Sequence, residues 1–383
     1  NTTTAVDGTF TLTNVPVGAK VPLVIQIGKW RRQIDVNVTA CQANAQPDKS
    51  LAFLGTLPAG DTNDNIPDIA VSTGGADTLE CLLLRVGLPA TEYVAGSASG
   101  GHIHVFSGGS AGTAGPGTGT GQGGAENPPM PGAPTSSTNL WDKQSDLMPY
   151  DILLLSCEGG ETYNSNPPVL EGYLNAGGRT FASHFHYAWF AGSLSGDTTV
   201  PGPPSDWGMN LDAWGSSTSA TTAGHAQIVQ TLNGSTMPFP KGQTLAQWLK
   251  IVGALGVEGA PAGEIPIFDE TQNAGQTNKA QAWLTDNGTT DYLSFDTPVN
   301  APVPPDGGEP SYCGRAVFAG VHVNADTNAA STKDANPPPT GCAPGPLSPQ
   351  EKALEFMLFD LSSCVLPDTV PPPVDAGLPP PPK

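Results

Sequence analysis

The sequence predicts an α/β protein: an open, mostly parallel sheet flanked by helices, carrying long loop insertions and preceded by a partial β-sandwich module. Three observations lead there. From residue 66 onward short strands alternate with helices, which is how parallel sheets are wound. Several of those strands are apolar on both faces, as strands covered by helices on two sides must be. Residues 1–42, by contrast, hold alternating strands and turns and no helical period.

In the opening segment, "VDGTFTLTNVPVGAKVPLVIQIGKWRRQIDVNVTAC", Phe10 and Leu12 alternate with threonines and Pro16 and Gly18 punctuate. Val21, Leu23, Ile25 and Ile27 then alternate, and Ile34, Val36 and Val38 follow a basic turn. Residues 43–65 read as a linker ending in "DTNDNIPD" (residues 61–68), whose oxygens at Asp61, Asn63, Asn65 and Asp68 suit calcium. The competing reading is a polar turn leading into a strand.

The α/β region, residues 66–364, opens with the buried strand "IPDIAVSTGG" and the helix "ADTLECLLLRVG", stopped by Gly87. "HIHVF" is a short strand. Residues 107–140 form a first insertion, rich in Gly, Ser, Pro and Thr. "YDILLLSCEGGE" is a doubly apolar strand, "PPVLEGYLNAGG" a helix and "RTFAS" another strand. A second loop-rich insertion covers residues 191–237. "KGQTLAQWLKIVG" reads as a helix and "GRAVFAGVHV" as a late strand. In "LSPQEKALEFMLFDLSSC", Ser348 caps a helix, Pro349 takes its first turn and Glu351 completes a capping box. The tail, residues 365–383, is Pro-rich and extended.

Composition narrows function. With 35 acidic against 15 basic residues and a net charge of −20, a nucleic-acid partner is excluded, whereas divalent cations match the surface. No apolar run approaches the roughly 20 residues of a membrane span. Six cysteines (Cys41, Cys81, Cys157, Cys313, Cys342 and Cys364), without any CxxC, favour disulfides and an oxidising compartment. Cys313–Cys342 is the expected pair, closing a ~30-residue loop for about 3–4 kcal/mol. Beginning at Asn1 without a signal peptide, the chain reads as a processed product, secreted or on the cell surface.

Three resemblances add to this. The run from Asp7 to Gly18 matches the "DGxFxLxxVPxG" signature of carboxypeptidase regulatory-like β-sandwich modules, and "DTNDNIPD" resembles the calcium loops of thrombospondin type 3 repeats. The module is about twice as long as the segment present, which implies an incomplete sandwich whose open edge self-assembles with another copy or is covered by the chain's own tail. From residue 66 to 364 the order of elements resembles the class I glutamine amidotransferase-like (flavodoxin-like) fold, with its ThuA-like branch nearest. That family places a nucleophilic cysteine in a Gly-x-Cys-x-Gly elbow; the matching stretch here is Ala182-Ser183-His184-Phe185-His186. The resemblance therefore implies the fold and a lost amidotransferase activity.

Ligands of open α/β sheets bind beyond the carboxyl ends of the strands. Cys157, Glu158 and Glu161 follow one such end, His184 and His186 a second, and His322 a third. His184, His186, His322 and Glu161 are the donor set expected for zinc or another divalent transition metal, and His184, Glu158 and His322 the expected catalytic groups. Cys157 reads as a disulfide half or, next to Glu158 and a histidine, as a nucleophile. His102 and His104 form a second His-x-His, and the tryptophans read as buried. Two functions stay open: an extracellular structural or binding protein, partnered by its own copies or cell-envelope components, and a secreted metal-assisted hydrolase acting on a glycan or amide bond.

Overall fold

The structure is a computed structural model and describes residues 1–47, 65–74, 77–108, 130–158, 160–162, 164–194, 196, 198, 200–214, 224–267, 274–277, 279–286, 288–308, 310–322, 338–342, 345–363 and 365–370. Asp61, Asn63, Cys364 and most of the tail lie outside the described residues.

Two strands, β1 (Gly18–Ile27) and β2 (Trp30–Val38), form an antiparallel hairpin. The strand expected over residues 9–15 does not form. Thr9 instead turns back, its amide and hydroxyl both donating to Asp7 Oδ1. Beyond the hairpin's own ladder, β2 pairs among the described residues at a single bridge, Arg31 with Asn65. Trp30, only 3% exposed, plugs the hairpin into the main core, and its indole nitrogen donates to Ser362 Oγ.

The remaining strands are β3 (Ile69–Thr73), β4 (Tyr93–Ala95), β5 (Ile103–Ser107), β6 (Ile152–Leu155), β7 (Arg179–Ser183), β8 (Asp212–Trp214), β9 (Gly224–Ile228), β10 (Glu264–Ile267), β11 (Ala274–Thr277), β12 (Gln281–Asp286), β13 (Thr289–Thr297) and β14 (Gly314–Ala319). They build one sheet in the order β10-β9-β12-β13-β14-β7-β6-β3-β5-β4, with β11 and β8 attached through β13. From β14 to β4 all neighbours are parallel. From β14 outward to β10 they are antiparallel, an extension that the sequence pattern had concealed. Part of it, β8 and β9, lies within residues 191–237, expected to be loop.

Four longer helices flank the sheet: α1 (Leu79–Val86), α2 (Pro167–Asn175), α3 (Pro240–Ile251) and α4 (Pro349–Ser362). The expected capping box on α4 is present, with Ser348 Oγ accepting from the Glu351 amide and the Glu351 carboxylate accepting from the Ser348 amide. Strand β6 shows why its pattern is continuously apolar. Ile152 and Leu154 belong to the core on one face, which also takes in residues of α1, α3 and α4, and Leu153 and Leu155 belong to the core on the other face with residues of α2. The sheet is thus the middle layer of three. No helix is long and apolar enough to cross a membrane.

Candidate metal centre

Strands β6, β7 and β14 run parallel, with β7 between the other two. Their registers align Leu155 with Ala182 and Ser183 with Ala319, so the chain leaves all three at the same edge. The spacing of about 4.8 Å between strands puts the outer two about 10 Å apart, close enough for side chains from either to meet over the middle one. Cys157, His184 and His322 do so. One ligand atom from each lies within 4.8 Å of the other two. Cys157 Sγ is 3.2 Å from His184 Nδ1, and the rings of His184 and His322 lie 4.1 Å apart at 32°.

Each is held from behind. The Cys157 amide donates to Ser183 Oγ at 3.0 Å. Gly74, at the end of β3, presses on the same residue: a Cβ there would come within 2.0 Å of the Cys157 carbonyl oxygen. The Gln350 side chain, in the first turn of α4, donates to the His322 carbonyl. His184 has a φ of +48°, a left-handed conformation that costs a residue with a side chain about 1–3 kcal/mol. It is the first residue of a 3₁₀ turn, His184–Tyr187, that follows β7 directly. Sharp strand-to-helix turns of this kind lift a reactive side chain above a sheet edge.

The site is dry. Cys157 and His184 are 0% and 2% exposed, and His322 is half-buried. Burial, reinforced by the neighbouring His322 and His186, holds the His184 pKa well below the ordinary imidazole value. The ring is therefore neutral, the state a metal ligand requires. Its Nε2 is buried without a hydrogen-bond partner.

The other expected site residues are placed elsewhere. His186 is saturated: Nε2 donates to the Ser156 carbonyl at 2.7 Å, and Nδ1 accepts from Trp189 Nε1 at 3.1 Å and faces the Thr162 hydroxyl. Burial pushes its pKa down to about 4. It is a packing residue here, not a member of the cluster. Glu161 is likewise engaged, accepting from Ser193 Oγ at 2.6 Å, from the Leu194 amide at 2.8 Å and from the Tyr187 hydroxyl. Glu158 leans the opposite way, toward β5, its Oε1 only 2.9 Å from where a Cβ on Gly108 would stand. The carboxylate expected beside the histidines is replaced by the Cys157 sulfur.

The cysteine expectations need correction. Cys342 pairs with Cys81, not with Cys313, across 261 residues of sequence. Among the described residues, Cys41, Cys157 and Cys313 take part in no disulfide. The pairing follows from packing, since α1 and the approach to α4 lie side by side, joined also by the Arg85–Glu351 ion pair at 2.5 Å. His102 and His104 sit at the opposite edge of the sheet with separate partners, Glu92 at 2.5 Å and the Gly96 carbonyl at 2.8 Å. In the calcium string, the Asn65 amide donates to the Lys29 carbonyl, and Asp68 lies 3.8 Å from His104. Trp30, Trp141 and Trp207 are buried, in keeping with packing.

No family model, curated protein or solved structure matches this chain.

Proposed function

We propose that the chain is an extracellular binding protein whose α/β domain has exchanged amidotransferase chemistry for a transition-metal centre formed by Cys157, His184 and His322. The carrying observation is that three residues far apart in sequence bring one sulfur and two imidazoles within 4.8 Å of each other at adjacent strand ends. At bond lengths of about 2.0–2.1 Å to nitrogen and 2.3 Å to sulfur, two donors of one ion lie at most about 4.4 Å apart, so a small side-chain adjustment closes the set. The neutral state of His184, its unpartnered Nε2 and its strained backbone support the same reading. A disulfide elsewhere in the chain favours an oxidising compartment. The fold resemblance adds that an edge used for a nucleophile elsewhere carries His184 here. The hairpin, bridged beyond its own ladder only through Arg31 among the described residues, supports assembly with other copies or with envelope components.

Equilibrium dialysis against zinc followed by elemental analysis tests the centre. One ion per chain is expected, and loss of that ion in His184→Ala. Equal zinc in the variant, or neither zinc nor copper in the parent, overturns the reading. A second reading, metal-assisted hydrolysis of a glycan or amide bond, is favoured by the count of protein ligands, since three leave a position open for water.

A further inference from the structure

The kind of ion, and what it does, follow from three features of the same cluster; this step rests on the metal reading above. We propose that the centre takes copper in a trigonal set of Cys157 Sγ and one ring nitrogen each from His184 and His322, and that it exchanges single electrons with a small redox carrier.

The donor set comes first. Among the described residues no fourth histidine, cysteine or carboxylate joins the cluster. Glu161 is tied to Ser193 and Leu194, and Glu158 lies toward Gly108. Structural zinc takes four protein ligands. A thiolate with two imidazoles in a plane is the set that copper accepts, and copper also stands highest in affinity among the divalent first-row ions.

Dryness is the second feature. A metal-bound water that hydrolyses a substrate needs polar neighbours to orient it and take its proton, and a buried water in general makes about three hydrogen bonds. Among the described residues the ring beside His184 is Phe185, edge-on at 4.4 Å, Glu161 is bound to Ser193 and Leu194, and no carboxylate shares the cluster. Electron transfer needs no such partners. In the step itself Cu(I) loses one electron to become Cu(II) and the carrier gains it. No bond to the protein forms or breaks, and no proton moves.

The third feature is the pairing of rigidity with one exposed ligand. Strand ends, the Ser183 hydrogen bond and the close approach of Gly74 fix Cys157, while β7 and its strained turn fix His184. Once the side chains have closed on an ion, backbones held this way keep both oxidation states near one geometry. His322 alone of the three is less than fully buried, and through it the ion would lie nearest to solvent.

The test is an anaerobic titration of the full, reduced chain with Cu(I) against a chromogenic Cu(I) chelator, followed by oxidation with ferricyanide. One copper per chain is expected. The oxidised form should carry an intense visible thiolate-to-copper band that vanishes on reduction, returns on reoxidation and is absent from Cys157→Ser. Because that variant removes a buried side chain, His322→Gln serves as the second probe and should weaken copper binding at least tenfold with little change in melting temperature. Stoichiometric zinc binding without the thiolate band would overturn copper and leave the metal reading standing. Failure to bind either ion would remove both.

Discussion

The two edges of the parallel sheet use the same residue types to opposite ends. At the amino edge four polar groups each have a charged or carbonyl partner. His102 meets Glu92, His104 meets the Gly96 carbonyl, and Lys29 meets Asp151 at 2.5 Å. Arg315, at the start of β14 and 1% exposed, meets Asp296, Asp360 and Asp368 at 2.6–2.7 Å. Burial opposes that charge, but Asp360, Asp296 and Asp368 outweigh it and hold the guanidinium well above its usual pKa. At the carboxyl edge, two histidine rings and a thiol face one another with no carboxylate among the described residues joining them, and His184 keeps a buried nitrogen unpartnered. A histidine's role is set by what the fold leaves for its second nitrogen, so His102 and His104 are structural and His184 is available to a ligand.

Perturbing the two edges should sharpen this contrast. The largest effect is expected at the amino edge. Arg315→Met removes a buried cation from three part-buried carboxylates, of which Asp360 keeps Lys241, and removing one partner from such a network costs about 3–5 kcal/mol. Urea unfolding should show that loss while metal stoichiometry in the surviving folded fraction is unchanged; a loss under 1 kcal/mol would mean the network is solvated.

Next comes acid, which acts on the carboxyl edge. His186 is a base whose folded pKa, about 4, lies below the unfolded value of about 6.5. The unfolded chain therefore binds the extra proton first. Stability from this residue is complete above about pH 6.5 and falls as pH drops toward 4, by about 3 kcal/mol in all. His186→Gln should flatten the stability–pH curve across that window; an unchanged slope would show that the ring is not buried neutral.

Gly74→Ala is smaller. Its new methyl must displace the Cys157 carbonyl, at a cost of about 1–3 kcal/mol. Zinc affinity should fall with it, and retained affinity would separate Cys157 from the centre. The smallest effect belongs to His102→Gln, where a partly exposed pair with Glu92 is worth under about 1 kcal/mol. Metal content should not change.

Much of this contrast was legible in the sequence, and the rest had physical reasons to hide. Parallel strands that leave a sheet in one direction bring their first loop residues together, so the meeting of His184 and His322 follows from topology alone. The α4 cap was legible because its signals are local. Cys157 sat in plain view at the end of "YDILLLS", yet an even cysteine count argued for a disulfide, and composition cannot show that its sulfur faces a ring rather than another sulfur. The Cys81–Cys342 bridge depends on α1 and α4 packing together, which no spacing encodes. His186 and Glu161 have the right chemistry for ligands, but Trp189, Ser156, Ser193 and Leu194 consume it. Strands β8 to β13 escaped because several are short and set among glycine and threonine.

Cys157, His184 and His322 are proposed to hold one metal ion together. Cobalt(II) titration of the reduced chain tests it most directly, because a cobalt–thiolate bond announces itself in the near-ultraviolet and a low-symmetry site in the visible. We expect both signals to rise together, to saturate at one cobalt per chain and to lose the thiolate band in Cys157→Ser. A titration that yields only the pale spectrum of hydrated cobalt, or a thiolate band that survives in Cys157→Ser, would contradict it.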